Sequence, residues 1–98
     1  MKWNYEEGRI YSINEEKELM AEVTFIDTGD KEVNINHTYV NPVLRGQGVA
    51  GKMLKVTAEY LREKGLKATA SCSYAHSWLL KNKESYSDII SDDINKEA

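Results

Sequence analysis

The chain holds one cysteine, one proline, one phenylalanine and two histidines in 98 residues, and each scarcity removes a class of function. A single thiol, Cys72, makes no internal disulfide and builds no cysteine-based zinc cage. His37 and His76 lie too far apart in sequence to suggest a metal pair, so no metal is expected. No apolar run approaches the roughly 20 residues that cross a bilayer, and the opening MKWNYEEGRI has no hydrophobic signal core. The expectation is a soluble, cytoplasmic protein with no membrane partner. Charge of one sign is lacking too. Thirteen basic side chains against 16 acidic ones leave a net −3, which is no electrostatic footprint for nucleic acid. There is no internal repeat, and the length allows one core only. We expect a single domain over residues 1–90, monomeric or weakly dimeric, with a polar, frayed tail at 91–98.

What is present begins with alternation. Residues 8–13 and 19–26 read as strands, separated by turn chemistry at Asn14-Glu-Glu-Lys17; Asp27-Thr-Gly-Asp-Lys31 supplies the next turn. Residues 32–40, EVNINHTYV, alternate clearly. Val33, Ile35, His37 and Tyr39 are expected on one face, Asn34, Asn36, Thr38 and Val40 on the other. Pro42 ends the pairing because it has no N–H to give. From Val49 the period becomes helical, with Val49, Ala50, Met53, Leu54, Ala58 and Leu61 as the apolar stripe and Gly65 just past the end. A fourth strand over 66–72, a second helix over 74–82 and a short extended piece over 85–90 complete the order β-β-β-loop-α-β-α-β. The fold class is α/β, a mixed sheet whose antiparallel meander precedes the loop and first helix.

The stretch between strand and helix, Arg45-Gly-Gln-Gly-Val-Ala-Gly-Lys-Met53, nearly fits three nucleotide fingerprints. As a P-loop it puts Met53 where a hydroxyl must bind Mg²⁺, and a thioether is a poor ligand for that hard cation. As a dinucleotide motif it follows three antiparallel strands instead of opening a βαβ unit, and no acidic residue lies between Glu63 and Glu84 to hold a ribose. As R-x-x-G-x-A, a pattern that holds the pyrophosphate of coenzyme A, it fits both motif and setting. Loop and helix N–H groups converge on one spot, the helix dipole adds positive charge, and Gly46 and Gly48 let the chain approach phosphates. Arg45, Lys52 and Lys55 make this region locally basic, which suits a small anion.

Val40-Asn-Pro-Val-Leu-Arg-Gly-Gln-Gly-Val-Ala-Gly-Lys-Met-Leu54 resembles motif A of the GCN5-related N-acetyltransferases. His37-Thr38, Cys72 after Gly65-Leu66-Lys67, and Tyr86 make the likeness narrower, to the small single-domain YjdJ-type branch. It spans residues 8–90. Relatives often have proline where this chain has Ser73, and His-Pro-Glu-Tyr where it has Lys83-Glu-Ser-Tyr86. The resemblance implies acetyl-CoA as donor, held by Val40, Arg45, Gly46, Gln47, Gly48, Val49, Ala50 and Gly51 between two splayed parallel strands. It implies acetyl transfer to a small-molecule amine or a protein amino group.

Cys72 is then the candidate nucleophile, or the acid that protonates the departing thiolate. Its face-mates Leu66, Ala68 and Ala70 allow a purely buried cysteine instead. His37 would deprotonate the incoming ammonium or activate Cys72, or it is a satisfied core histidine beside Val33 and Ile35. Tyr74 and Tyr86 either line a tunnel or pack on Trp78. Two rival functions remain: a non-catalytic acyl-CoA sensor, and a structural protein whose glycine loop is a tight turn.

Overall fold

The computed structural model describes residues 1–94. Five strands form one sheet in chain order, β1 (Asn4–Glu6), β2 (Arg9–Ile13), β3 (Leu19–Gly29), β4 (Glu32–Val40) and β5 (Lys67–Ala70). The first four are antiparallel and β5 runs parallel to β4. Helix α1 (Val49–Lys64) makes the crossover, followed after β5 by α2 (Ser73–Lys81) and a single turn, α3 (Lys83–Tyr86). The expected meander, loop, helix, strand and helix are all present.

The core is where the sheet's apolar positions meet α1. Ile10, Val23, Phe25 and Ile35 pack with Met53, Leu54 and Leu61, all buried. The helical stripe is as expected, except that Ala50 is only half-buried and Thr57 is buried, its hydroxyl bonded back to the Met53 carbonyl. Capping bonds from Gly65 N–H to Arg62 O and from Leu66 N–H to Leu61 O close the helix.

Three local expectations need correction. The sheet does not begin at residue 8: Asn4–Glu6 adds a strand before it, and Tyr5 stacks on Tyr60 of α1 at 5.4 Å. Residues 85–90 are not one extended piece, since α3 ends at Tyr86 and only Ile90 pairs, bridging Ala68 in parallel. Tyr86 is buried against Trp78 and donates to Glu59 Oε2 at 3.1 Å, so it ties α3 to α1. Packing continues past residue 90. Ser91 and Ile94 are buried, and Ser91 donates to Glu32 Oε2 at 2.6 Å. Residues 95–98 of the expected tail lie outside the described residues.

The correction with the largest consequence is inside β4. Phe25 pairs with Ile35 but its neighbour Thr24 pairs with His37, so Asn36 is an extra residue, a β-bulge. Directly opposed residues share a face. Ile35 therefore lies with Phe25 on the core side, while His37 lies with Thr24 on the outer side. Beyond the bulge, Thr38 joins Val23 and Val40 joins Ala21 on the core side. The expected grouping of Val33 and Ile35 with His37 and Tyr39 is broken at Asn36, because a period of two cannot survive an inserted residue.

Candidate functional site

The site is built by the end of one strand pair. β4 and β5 pair from Glu32↔Lys67 to Ile35↔Ala70, and the last bonds are from Ser71 and Cys72 N–H to the Ile35 carbonyl. From there β4 continues without β5. Its free edge can be identified from the antiparallel pattern on its other side. Asn41 N–H donates to Met20 O at 2.8 Å, and bonded pairs alternate with unbonded ones. Tyr39 and His37 thus direct their backbone groups to β3, and Thr38 and Val40 direct theirs to the open side. The Val40 carbonyl does point that way, since Arg45 Nε donates to it at 3.2 Å.

Asn41 organises the exit from the strand. Its side chain donates to Leu19 O at 3.1 Å and accepts from Val43 N–H at 3.1 Å, capping a 3₁₀ turn at Pro42–Leu44. The chain then passes through Gly46 (φ 81°) and Gly48 (φ 73°), and α1 begins. Both glycines hold left-handed backbone that side chains resist, and nothing lies within 4 Å of where a Cβ would stand on either. The space above the loop is open. Lys52 N–H makes the first α1 capping bond, to Gly48 O, which leaves the first-turn N–H groups facing outward without an intrahelical acceptor. No acidic residue stands in that turn. A concavity of about 200 Å³ sits here, lined by Val40, Leu44, Arg45, Gly46, Gly48, Val49, Ala50 and Tyr74. Another of about 400 Å³, bounded by Ser73, Ser77, Trp78 and Lys81, shares Tyr74 as its wall.

Six of the eight expected donor-binding residues line the first concavity. Gln47 and Gly51 do not. Gln47 turns its amide onto Val43 O at 3.2 Å, and Gly51 faces α2, where a Cβ would make only ordinary contact, 3.7 Å from the Trp78 indole nitrogen. Lys52 and Lys55 are exposed on α1.

Cys72 lies two residues beyond β5, not within it, and forms the N-terminal cap of α2. It is half-buried, and its Sγ is 3.4 Å from Thr38 Oγ1. Burial pushes the thiol up. The Thr38 hydroxyl and the backbone N–H groups of Ala75, Tyr74 and Thr38 outweigh that and hold it below its ordinary value. The α2 N–H groups do not complete a cap hydrogen bond to sulfur, so they act there mainly as dipoles. Thr38 is the site residue that sequence reasoning missed, because only the bulge brings it to this face.

His37 is not a core histidine. Its side chain is 51% exposed and Nε2 stands 3.3 Å from Glu22 Oε1. Being on the outer face, it does not meet Cys72. His76 is occupied elsewhere, with Nε2 at 3.1 Å from Ile94 O. Among the described residues no group of three His, Cys, Asp or Glu side chains could hold a metal, and no helix is long and apolar enough to cross a membrane.

Comparison with known proteins agrees with this geometry. The sequence pattern of one family, described as GCN5-related N-acetyl-transferase, matches residues 10–89. A GCN5-like protein of Staphylococcus aureus, solved in solution by NMR, is 38% identical and superposes with a TM-score of 0.72, over 92% of this chain and 87% of that one. An IAA acetyltransferase from Bacillus cereus shares the fold at a TM-score of 0.59 and 17% identity, over 74% of this chain and 51% of that one. Protein NATD1 of Xenopus tropicalis is 33% identical over 54 residues, which are 55% of this chain. The match spans 50% of that protein's own length. With the family pattern matched across most of its length, and the splayed strands and glycine loop in place, the chain belongs to the GCN5-related N-acetyltransferase family.

Proposed function

We propose that this chain transfers an acetyl group from acetyl-CoA to an amine, with the donor seated in the cleft between Val40 and Tyr74. The observation that carries the reading is the open edge of β4 running directly into an N–H-rich glycine loop. The donor's chemistry fits the residues present. Its pyrophosphate needs unpaired N–H donors and positive potential, which the loop, the α1 N-terminus and Arg45 offer. Its amide-bearing arm needs strand-like partners, and the Val40 N–H and the Thr38 carbonyl face the open edge, while the Val40 carbonyl accepts from Arg45. When bound, acetyl-CoA supplies an activated acetyl thioester.

The chain's own groups divide the work by face. Val40 N–H donates toward the thioester carbonyl and stabilises charge that develops on its oxygen. His37, on the outer face, takes a proton from the acceptor ammonium and frees its lone pair for attack. As the C–S bond breaks, Cys72 on the core-side face gives its proton to the leaving sulfur and regains one from the proton that the new amide nitrogen sheds. A second reading has Cys72 attack first and carry the acetyl group itself; its lowered thiol and its place at a helix N-terminus favour that route. The acceptor class is a small amine or a protein amino group, entering from the uncovered outer face.

A thermal-shift titration with acetyl-CoA, run beside CoA, ATP and NAD, tests the donor. Ligand at a hundred times its dissociation constant adds about 2.7 kcal/mol, and each kcal/mol raises the midpoint by roughly 4–8 °C in a domain of this size. We expect a rise with both CoA species and none with ATP or NAD. Binding without acetyl transfer to any amine would instead identify a sensor, and no shift with either CoA species would reduce the loop to a tight turn.

A further inference from the structure

The outer face of the sheet carries a chain of contacts across four strands that the donor site does not use. The covered member is Glu22 of β3, whose side chain is 16% exposed. One of its carboxylate oxygens accepts from Arg9 Nε of β2, and the other faces His37 Nε2 of β4 at 3.3 Å. Arg9 is itself held from behind, its guanidinium carbon 3.8 Å from the Tyr11 ring centroid. Tyr11 in turn donates to Glu6 at 2.9 Å. The imidazole ends this row. It is presented to solvent, and it stands on the strand whose opposite face carries Thr38 and Cys72.

We infer that Glu22 is a positioning residue for His37, fixing its tautomer and aiming its second nitrogen at the acceptor. This rests on the acetyl-transfer reading and on His37 as the base. A neutral imidazole has one N–H donor and one acceptor nitrogen, and an ionised carboxylate only accepts. At 3.3 Å, an ion-pair distance without hydrogen-bond alignment, the Glu22 carboxylate favours the hydrogen on Nε2 electrostatically, which leaves Nδ1 with a free lone pair. That is the nitrogen that must receive the proton. When the acceptor ammonium gives it up, the nitrogen lone pair is released for attack, and the proton rests on Nδ1. Arg9 adds the constraint that makes Glu22 specific. With Arg9 donating to one oxygen, the carboxylate can turn only its other oxygen to His37.

That constraint yields a test with opposite outcomes for two substitutions. In Glu22→Gln, Arg9 still requires an oxygen, so the side-chain amide must present its NH₂ to His37. The ring then accepts at Nε2 and carries its hydrogen on Nδ1, where it is unable to take a proton. In Glu22→Ala nothing selects a tautomer. Nitrogen-15 NMR of the labelled protein, at a pH where the ring is neutral, reads the tautomer directly and needs no substrate. We expect Nε2–H in the native protein, Nδ1–H in Glu22→Gln and a mixture in Glu22→Ala. Turnover with spermidine or a lysine peptide should fall in Glu22→Gln as far as in His37→Ala, by roughly 100-fold or more, with KM for acetyl-CoA unchanged. A His37 tautomer that is the same in all three proteins overturns the inference. So does a tautomer that inverts while turnover stays at the native level. If the native protein acetylates neither amine, the acetyl-transfer reading fails and this role with it, while the tautomer measurement still states whether Glu22 sets the ring.

Discussion

The two halves of β4 differ in what their partners ask of them. From Glu32 to Ile35 the strand is bonded to β3 on one side and β5 on the other, and Val33, Asn34 and Ile35 are all buried. Even its buried amide is matched, with Asn34 donating to Thr69 at 2.9 Å and accepting from Ser71 at 2.7 Å. After the bulge at Asn36 the strand keeps only β3, and no residue from Asn36 to Val40 is buried. One half holds the sheet together; the other leaves its second edge unpaired. A single inserted residue separates them, and it also decides that Thr38, not His37, meets Cys72.

The largest effect should come from the first half. Ile35→Ala removes a side chain that is 1% exposed and packed in the core, and such truncations cost about 2–5 kcal/mol. Urea unfolding should show that loss, while the folded fraction still binds acetyl-CoA. Val40→Ala, in the open half, should lose less stability and more donor affinity. Equal stability losses at the two positions would erase the distinction.

The difference between the halves also marks what the sequence reveals. The loop and α1 were legible because their signals are local: Gly46 and Gly48 before a helical apolar stripe, and Gly65 after it. The bulge was not, because it is a property of how Thr24 and Phe25 meet their partners, not of residues 32–40 read alone. The alternation of EVNINHTYV is regular on paper, and pairing breaks it. The same limit misplaced Cys72. Leu66, Ala68, Ala70 and Cys72 share a period of two, yet β5 ends at Ala70, after which Ser71 and Cys72 N–H both bond to Ile35 and the chain turns into α2. Asn4–Glu6 escaped notice since a three-residue strand carries too little pattern, and its evidence is the turn at Gly8 that folds it onto β2.

A smaller effect is expected where the open half meets the loop. Gly48→Ala places a side chain at φ 73°, and left-handed backbone costs an ordinary L-residue roughly 1–2 kcal/mol. Because nothing lies within 4 Å of the added Cβ, the cost is conformational only. The ligand-free melting point should drop accordingly, and the acetyl-CoA shift should shrink further as the first-turn N–H groups move. An unchanged ligand-free midpoint would mean that the loop tolerates the left-handed side chain without strain.

The smallest effect on stability, and the sharpest on chemistry, is expected at Thr38. Thr38→Val keeps the side chain's shape but removes the hydroxyl 3.4 Å from Cys72 Sγ. Burial, which raises the thiol, is then opposed only by the backbone N–H groups, and the Cys72 pKa should rise from its lowered native position. The sign of the linkage follows. A thiol lowered in the folded state adds stability that is present above the unfolded pKa, near 9.0, and is lost as pH falls through the folded value. At pH 7 the native protein and the variant should therefore melt nearly alike, apart from any direct cost of the lost contact, and they should diverge only in alkali. Alkylation with iodoacetamide reports the thiolate itself, and its rate against pH should show a midpoint below 9.0 in the native protein and a higher one in Thr38→Val. Should the two profiles superimpose, the Thr38 hydroxyl does not tune the thiol, and the backbone N–H groups of Ala75, Tyr74 and Thr38 would account for its lowering without it.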